Sequence, residues 1–151
     1  MTDDGYILQM AHVTSDASGD PGPNAGFKGP LLLIHDNWTD ARSYLYNNSE
    51  EDENLVVQLY DEGWDVYLAN MRGTKYGRTH TTFYADGRGA NGAADFWDFD
   101  MFDRATKDVP AMINTILERR FEANGSCNKV HIIDSAATSL LTAATFPTTA
   151  S

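Results

Sequence analysis

Twenty-two acidic against eleven basic side chains in 151 residues give a net charge of −11, which argues against nucleic acid or an anionic membrane as a partner. With 42% hydrophobic residues the chain is long enough for one domain with a sizeable core. No apolar run approaches the roughly 18 residues of a membrane span, so no transmembrane segment is expected. Cys127 is the single cysteine, which excludes an internal disulfide framework and a Cys-based zinc site.

In chain order, Gly5 to Val13 alternates loosely like a strand, and Ser15 to Gly26 is rich in turn residues. Pro30 to Asp36, PLLLIHD, is a continuous apolar run ending in polar residues, as expected of a strand buried on both faces of a parallel sheet. Glu53 to Gly63 places Leu55, Val56, Leu59 and Tyr60 on one helical stripe, with Gly63 as its stop. Asp65 to Asn70, DVYLAN, predicts a second buried strand. From Met71 to Asp98 the chain is polar, Gly-rich and aromatic, too long for a simple connection, and is expected to be functional or packed across the surface. Asp103 to Arg120 carries Ala105, Val109, Met112, Ile113, Ile116 and Leu117 at helical spacing, and Pro110 should kink that helix or mark its effective start. A turn at NGSCN, a third strand at KVHIID and a third helix at SAATSLLTAAT complete the pattern. Strands alternating with helices indicate an α/β fold built on a mostly parallel sheet.

Two motifs dissolve on inspection. Gly87 to Gly92, GRGANG, matches a dinucleotide fingerprint formally, but that motif needs a strand directly before it and a helix opening on its glycines, so a loop is expected instead. Asp95, Asp98, Asp100 and Asp103 lack the Gly and Glu of a calcium loop, and Asp100 or Asp103 is expected to cap the second helix. Ser135 is the candidate nucleophile. A strand, a sharp turn and a helix with Ser at the turn is the setting of a nucleophile elbow, although a Ser at such a junction is equally an ordinary helix cap. The elbow brings strand and helix so close that the positions two before and two after are normally Gly; here they are Ile133 and Ala137.

Several segments together resemble the acid lipases, the α/β-hydrolase family of gastric and lysosomal lipases and related steryl-ester hydrolases. TDDGYILQM is similar to that family's opening strand, and LLLIHDNW stands where the family has a strand ending in His-Gly-Leu-Leu. GWDVYLANMRGTKYGRTH, Gly63 to His80, is the most specific match, and FWDFDMFDRATKDVPAMINTIL, Phe96 to Leu117, matches a further segment. The resemblance implies a partial α/β-hydrolase domain over residues 1–151, ending one helix after the elbow and lacking the later strands and the lid. It places Ser135 at the nucleophile and the backbone N–H groups of Asn37 and Ala136 at the oxyanion hole, and His35 on the family's oxyanion-strand histidine.

The departures fall on those same positions: Asp36 replaces a Gly, Asn37 and Trp38 replace two Leu, Ile133 replaces the first elbow Gly, and Asp134 replaces the His before the Ser. The family's triad continues from Ser to an acid and then a His, whereas Ala136 to Ser151 contains no Asp, Glu or His. His131 is expected to be a core histidine on the buried strand. The expected state is therefore a lipid-ester hydrolase relative that is not catalytic in isolation, or a structural or interaction subunit whose open sheet edge is covered by a protein partner. A third expectation is a split esterase completed by another chain. A lipid ester is the implied ligand, neither metal nor organic cofactor is implied, and localisation is left open: the family is typically secreted or lysosomal, while this chain begins without a leader.

Overall fold

The computed structural model describes residues 1–14, 26–46, 54–88, 93–124 and 129–135. Among these, six strands form two sheets. The main sheet has the order β2-β4-β3-β6, from Gln9–His12 (β2), Gly29–Ile34 (β3), Trp64–Asn70 (β4) and His131–Asp134 (β6). A two-stranded sheet pairs Tyr6–Ile7 (β1) with Thr79–His80 (β5). The expectation of a mostly parallel sheet holds for β4, β3 and β6, where Leu31 pairs with both Val66 and His131, and fails at β2, which runs antiparallel to β4. The opening segment, expected as one strand, divides between the two sheets at Leu8.

Strand β3 is central and buried on both faces because its side chains alternate between two apolar layers. Leu32 and Ile34 pack with Tyr67, Ala69, Met71, Val109, Met112 and Ile116 on one face. Leu31 and Leu33 pack with Ala41, Val56, Val66 and Leu68 on the other. The first layer is closed by Val109–Asn124 (α4), the second by Leu55–Asp61 (α1) and a 3-10 turn at Ala41–Tyr44. Helices fall on opposite faces because the chain steps from β3 to β4 in one direction and returns past β3 to β6 in the other, each time by a crossover of the same preferred hand. Asn54 caps α1 through its side chain, and Gly63 ends it with a φ of 93°.

The segment after β4 is packed rather than loose. Arg72 is 1% exposed and donates through Nη1 and Nη2 to Asp4 at 2.7 and 3.0 Å, and through its backbone N–H and Nε to Asp108 at 2.9 and 2.8 Å. Its guanidinium lies 4.0 Å from the centre of the Tyr6 ring, and the Tyr6 hydroxyl donates to the Phe96 carbonyl. Burial pushes the Asp108 carboxyl up, against the pull of Arg72, while burial of the Asp4 carboxyl is outweighed by its hydrogen bonds from Arg72, Thr2 and Lys107, which hold it well below its usual range. Gly73, with a φ of 83°, passes beneath two rings, and a Cβ there would lie 2.8 Å from Phe99 and 2.9 Å from Trp97.

The GRGANG segment begins in a turn at Tyr84–Gly87, with Gly89 to Gly92 outside the described residues; a short helix, Ala93–Trp97 (α2), opens after it. No full strand leads into it: Tyr84 makes only an isolated bridge to Thr79. Asp100 and Asp103 form a reciprocal capping box at the start of Met101–Asp103 (α3). A wide π turn at Arg104–Asp108 then leads into α4 just before Pro110, so the proline does mark the effective start of the α-helix. His131 departs from its expected core position: it is half-buried, at 4.9 Å from Trp64 in an edge-on ring contact. The helix expected from Ser135 onward and the NGSCN turn lie outside the described residues.

The Arg72→Leu variant leaves Asp108 buried without its guanidinium. Urea unfolding is expected to show a loss of about 3–5 kcal/mol, against well under 1 kcal/mol for Arg88→Leu, which breaks an exposed pair.

Candidate active site

Strands β3, β4 and β6 end at one edge of the sheet, and the residues that follow them are His35, Met71 and Ser135. In open α/β sheets this carboxyl edge is where ligands are held. The pairing of Ile34 with Asp134 sets Ser135 beside His35.

Ser135 is tied to the end of β3. Its backbone N–H donates to the Ile34 carbonyl at 3.2 Å, and its Oγ donates to the same oxygen at 3.3 Å. The Tyr44 hydroxyl, from the 3-10 turn, also donates to that carbonyl at 2.8 Å, which sets it beside the Ser135 hydroxyl. Burial pushes the Tyr44 phenol up from its ordinary pKa, with Ser135 pulling the other way.

All four histidines lie among the described residues, and each is engaged elsewhere. The Nε2 of His35 accepts the Met71 N–H at 3.2 Å, which requires the proton on Nδ1, and Nδ1 then donates to the Asp36 carbonyl at 2.7 Å. No lone pair of that ring remains to take the Ser135 proton. Burial lowers the His35 pKa below its ordinary 6.5 and keeps the ring neutral. His80 accepts the N–H groups of Thr82 and Phe83 through Nδ1 and donates from Nε2 to the Asp4 carbonyl. The Nε2 of His12 lies 2.6 Å from Asp65, and the ring is stacked on Tyr67. His131 is four residues before Ser135 on one strand, a separation of about 13 Å.

Asn37 is held at both ends. Its backbone N–H donates to Asp36 Oδ1 at 2.7 Å, and its side-chain oxygen accepts from Arg104 at 3.0 Å. Arg104 is fixed in turn by the Arg72 carbonyl at 3.1 Å and lies 5.3 Å from the Phe99 ring centre. An N–H bound to a carboxylate does not serve a developing oxyanion, and that carboxylate opposes the charge. Ala136 lies outside the described residues. Ser135 and Asn37 thus flank the same strand end, while among the described residues neither the base nor a free donor that acyl transfer needs is found beside them. Tyr44 and Arg104 were not legible as site residues, since neither periodicity nor spacing marks a side chain that reaches across from another element.

No family model matches the chain. Among curated proteins, it is 33% identical over 116 residues to triacylglycerol lipase 2 of Arabidopsis thaliana, covering 77% of this chain and 26% of that protein. It is 35% identical over 117 residues to lipase lipl-5 of Caenorhabditis elegans (78% of this chain, 27% of that one). The chain is a partial-length member of the lipase family. Gastric triacylglycerol lipase of Rattus norvegicus is similar in the same way, at 29% identity over 119 residues, 79% of this chain and 28% of its own length. The lipase-family chain spans about a quarter of the length of the relatives it matches. No helix among the described residues is long and apolar enough to cross a membrane.

The neutral, buried His35 makes stability depend on pH. Its folded pKa lies below 6.5, so this contribution is fully present above that value and is lost as pH falls through it toward the lowered folded pKa. Between pH 7.5 and 5.5, unfolding free energy is expected to fall more steeply for the parent chain than for His35→Gln, which lacks this proton uptake; equal slopes in urea titrations would count against it.

Proposed function

We propose that the chain derives from a lipid carboxylic-ester hydrolase and that its 151 residues alone do not turn over esters. The observation that carries this reading is the Asn37 N–H, which donates to Asp36 Oδ1 at the position where an oxyanion donor is expected. The engagement of both ring nitrogens of His35, the histidine beside Ser135, supports it, because a Ser hydroxyl without a base keeps only a small part of the rate. In an active form, Ser135 would attack the lipid ester carbonyl, with the Asn37 and Ala136 N–H groups holding the oxyanion once Asp36 has turned away. The acid and base for that step come from outside this sequence.

A second reading is an interaction subunit. It is favoured by the position of β6 at the end of the main sheet among the described residues, with Ile133 39% exposed on it. In that reading, Ile133→Lys converts a concentration-dependent assembly to monomer in light scattering.

The decisive experiment is labelling of the folded chain with a fluorophosphonate ester, followed by mass spectrometry, with Ser135→Ala as control. The expected result is no Ser135 adduct above the control. An adduct at Ser135 that the substitution abolishes would establish an activated serine and overturn the non-catalytic reading.

A further inference from the structure

The chain has twice as many acids as bases, so an unpaired base stands out. Among the described residues, Lys75, Arg78, Arg104 and Arg119 make no ion pair, while Lys28, Arg42, Arg72, Arg88, Lys107 and Arg120 each do. Two of the unpaired bases, Lys75 and Arg104, share one cleft, and Arg78 lies over an indole that lines it. Lys75 and Arg104 line a cleft of about 480 Å³ together with Trp97, and the Arg78 guanidinium lies 5.3 Å from the Trp97 ring centre. Asp40 also lines the cleft, but its carboxylate is taken by Arg42 at 2.8 Å. The Nε of Arg104 is a buried donor with no hydrogen-bond partner among the described residues.

The same cleft is walled by aromatic surface that water does not favour. Trp38 is 95% exposed and Tyr46 76% exposed, and both line it. Large exposed rings beside unpaired cations suit a ligand with an apolar body and an anionic end.

We propose that this cleft binds an acidic amphiphile, with a phosphate or carboxylate head at Lys75 and Arg104, Arg78 adding positive charge from over the Trp97 ring, and an apolar tail across Trp38, Tyr46 and Trp97. Binding does not depend on Ser135 or on ester turnover, so the site stands whether or not the chain hydrolyses anything. The charge of the protein as a whole repels anions, and selectivity therefore comes from this local cluster and weakens with salt.

The test is intrinsic tryptophan fluorescence of the chain titrated with dodecyl phosphate below its micellar concentration. A saturable blue shift is expected, with dodecyl maltoside, which has the same tail and a neutral head, binding about tenfold more weakly or worse. Inorganic phosphate alone should leave the spectrum unchanged. The Lys75→Ala/Arg78→Ala variant alters two exposed side chains outside the core, and with unchanged far-UV circular dichroism it should lose about tenfold in affinity for dodecyl phosphate. Trp38→Ala should weaken both detergents and keep the preference for the anionic head. Equal binding of the maltoside, saturation by phosphate alone, or an unchanged double variant would each overturn the proposal.

Discussion

The Arg72 guanidinium, buried between Asp4 and Asp108, is the contact on which the surroundings of the candidate site depend. It joins the chain's first turn, the segment after β4 and the π turn ahead of α4, three pieces far apart in sequence. A buried cation is costly unless its donors are satisfied, and here two carboxylates and the Tyr6 ring satisfy it. The Arg72 carbonyl then holds Arg104, and Arg104 holds the Asn37 side chain, so the position of the β3 end is passed on from one guanidinium to the next. An arrangement of this kind resists sliding: neither Arg72 nor Asp108 can shift without leaving a charge unpaired in the core.

The strands and helices that form the layers were legible because each obeys one period. PLLLIHD and DVYLAN are apolar through their middles and supply β3 and β4, buried on both faces, and Val56, Leu59 and Tyr60 of the expected stripe form the packed face of α1 while Leu55 is exposed. The capping role of Asp100 and Asp103 was legible too, since a cap is a local contact within four residues. What escaped was set by long-range contacts. The division of the opening strand at Leu8 follows from the pairing of Tyr6 with His80, some 70 positions away, and nothing in residues 5–13 marks it. His131 reads as core in a run of apolar neighbours but stands at the end of the sheet, where one flank has no described strand.

At the candidate site the sequence pointed to two strand ends and could not show how they are occupied. Ser135 and His35 follow paired strand ends at the carboxyl edge, and Asn37 stands two residues beyond His35. The substitution of Asp36 for a glycine gives a charge in the sequence; only the fold shows that its carboxylate turns back onto the next N–H. In the same way, His35 reads as a titratable group, and the fold makes it a bridge between the Asp36 carbonyl and the Met71 N–H. Polar side chains here serve the backbone, which is what a strand end needs once its ladder has run out.

The wide turn at Arg104–Asp108 sets the phase of everything beyond it. Its closing bond runs from the Val109 N–H to the Arg104 carbonyl, one residue further than in an α-helix, so the chain carries an extra residue in that turn. Each residue of an α-helix advances the direction of its side chains by about 100°. Removing a single residue between Arg104 and Val109 would therefore turn Met112 and Ile116 away from the sheet if Arg104 and Asp108 stayed in place, or turn those two away if the helix kept its grip. The segment tolerates exchange of its exposed side chains far better than any change in its length, and insertions or deletions are expected to be excluded from these five positions while they accumulate in the loops on either side.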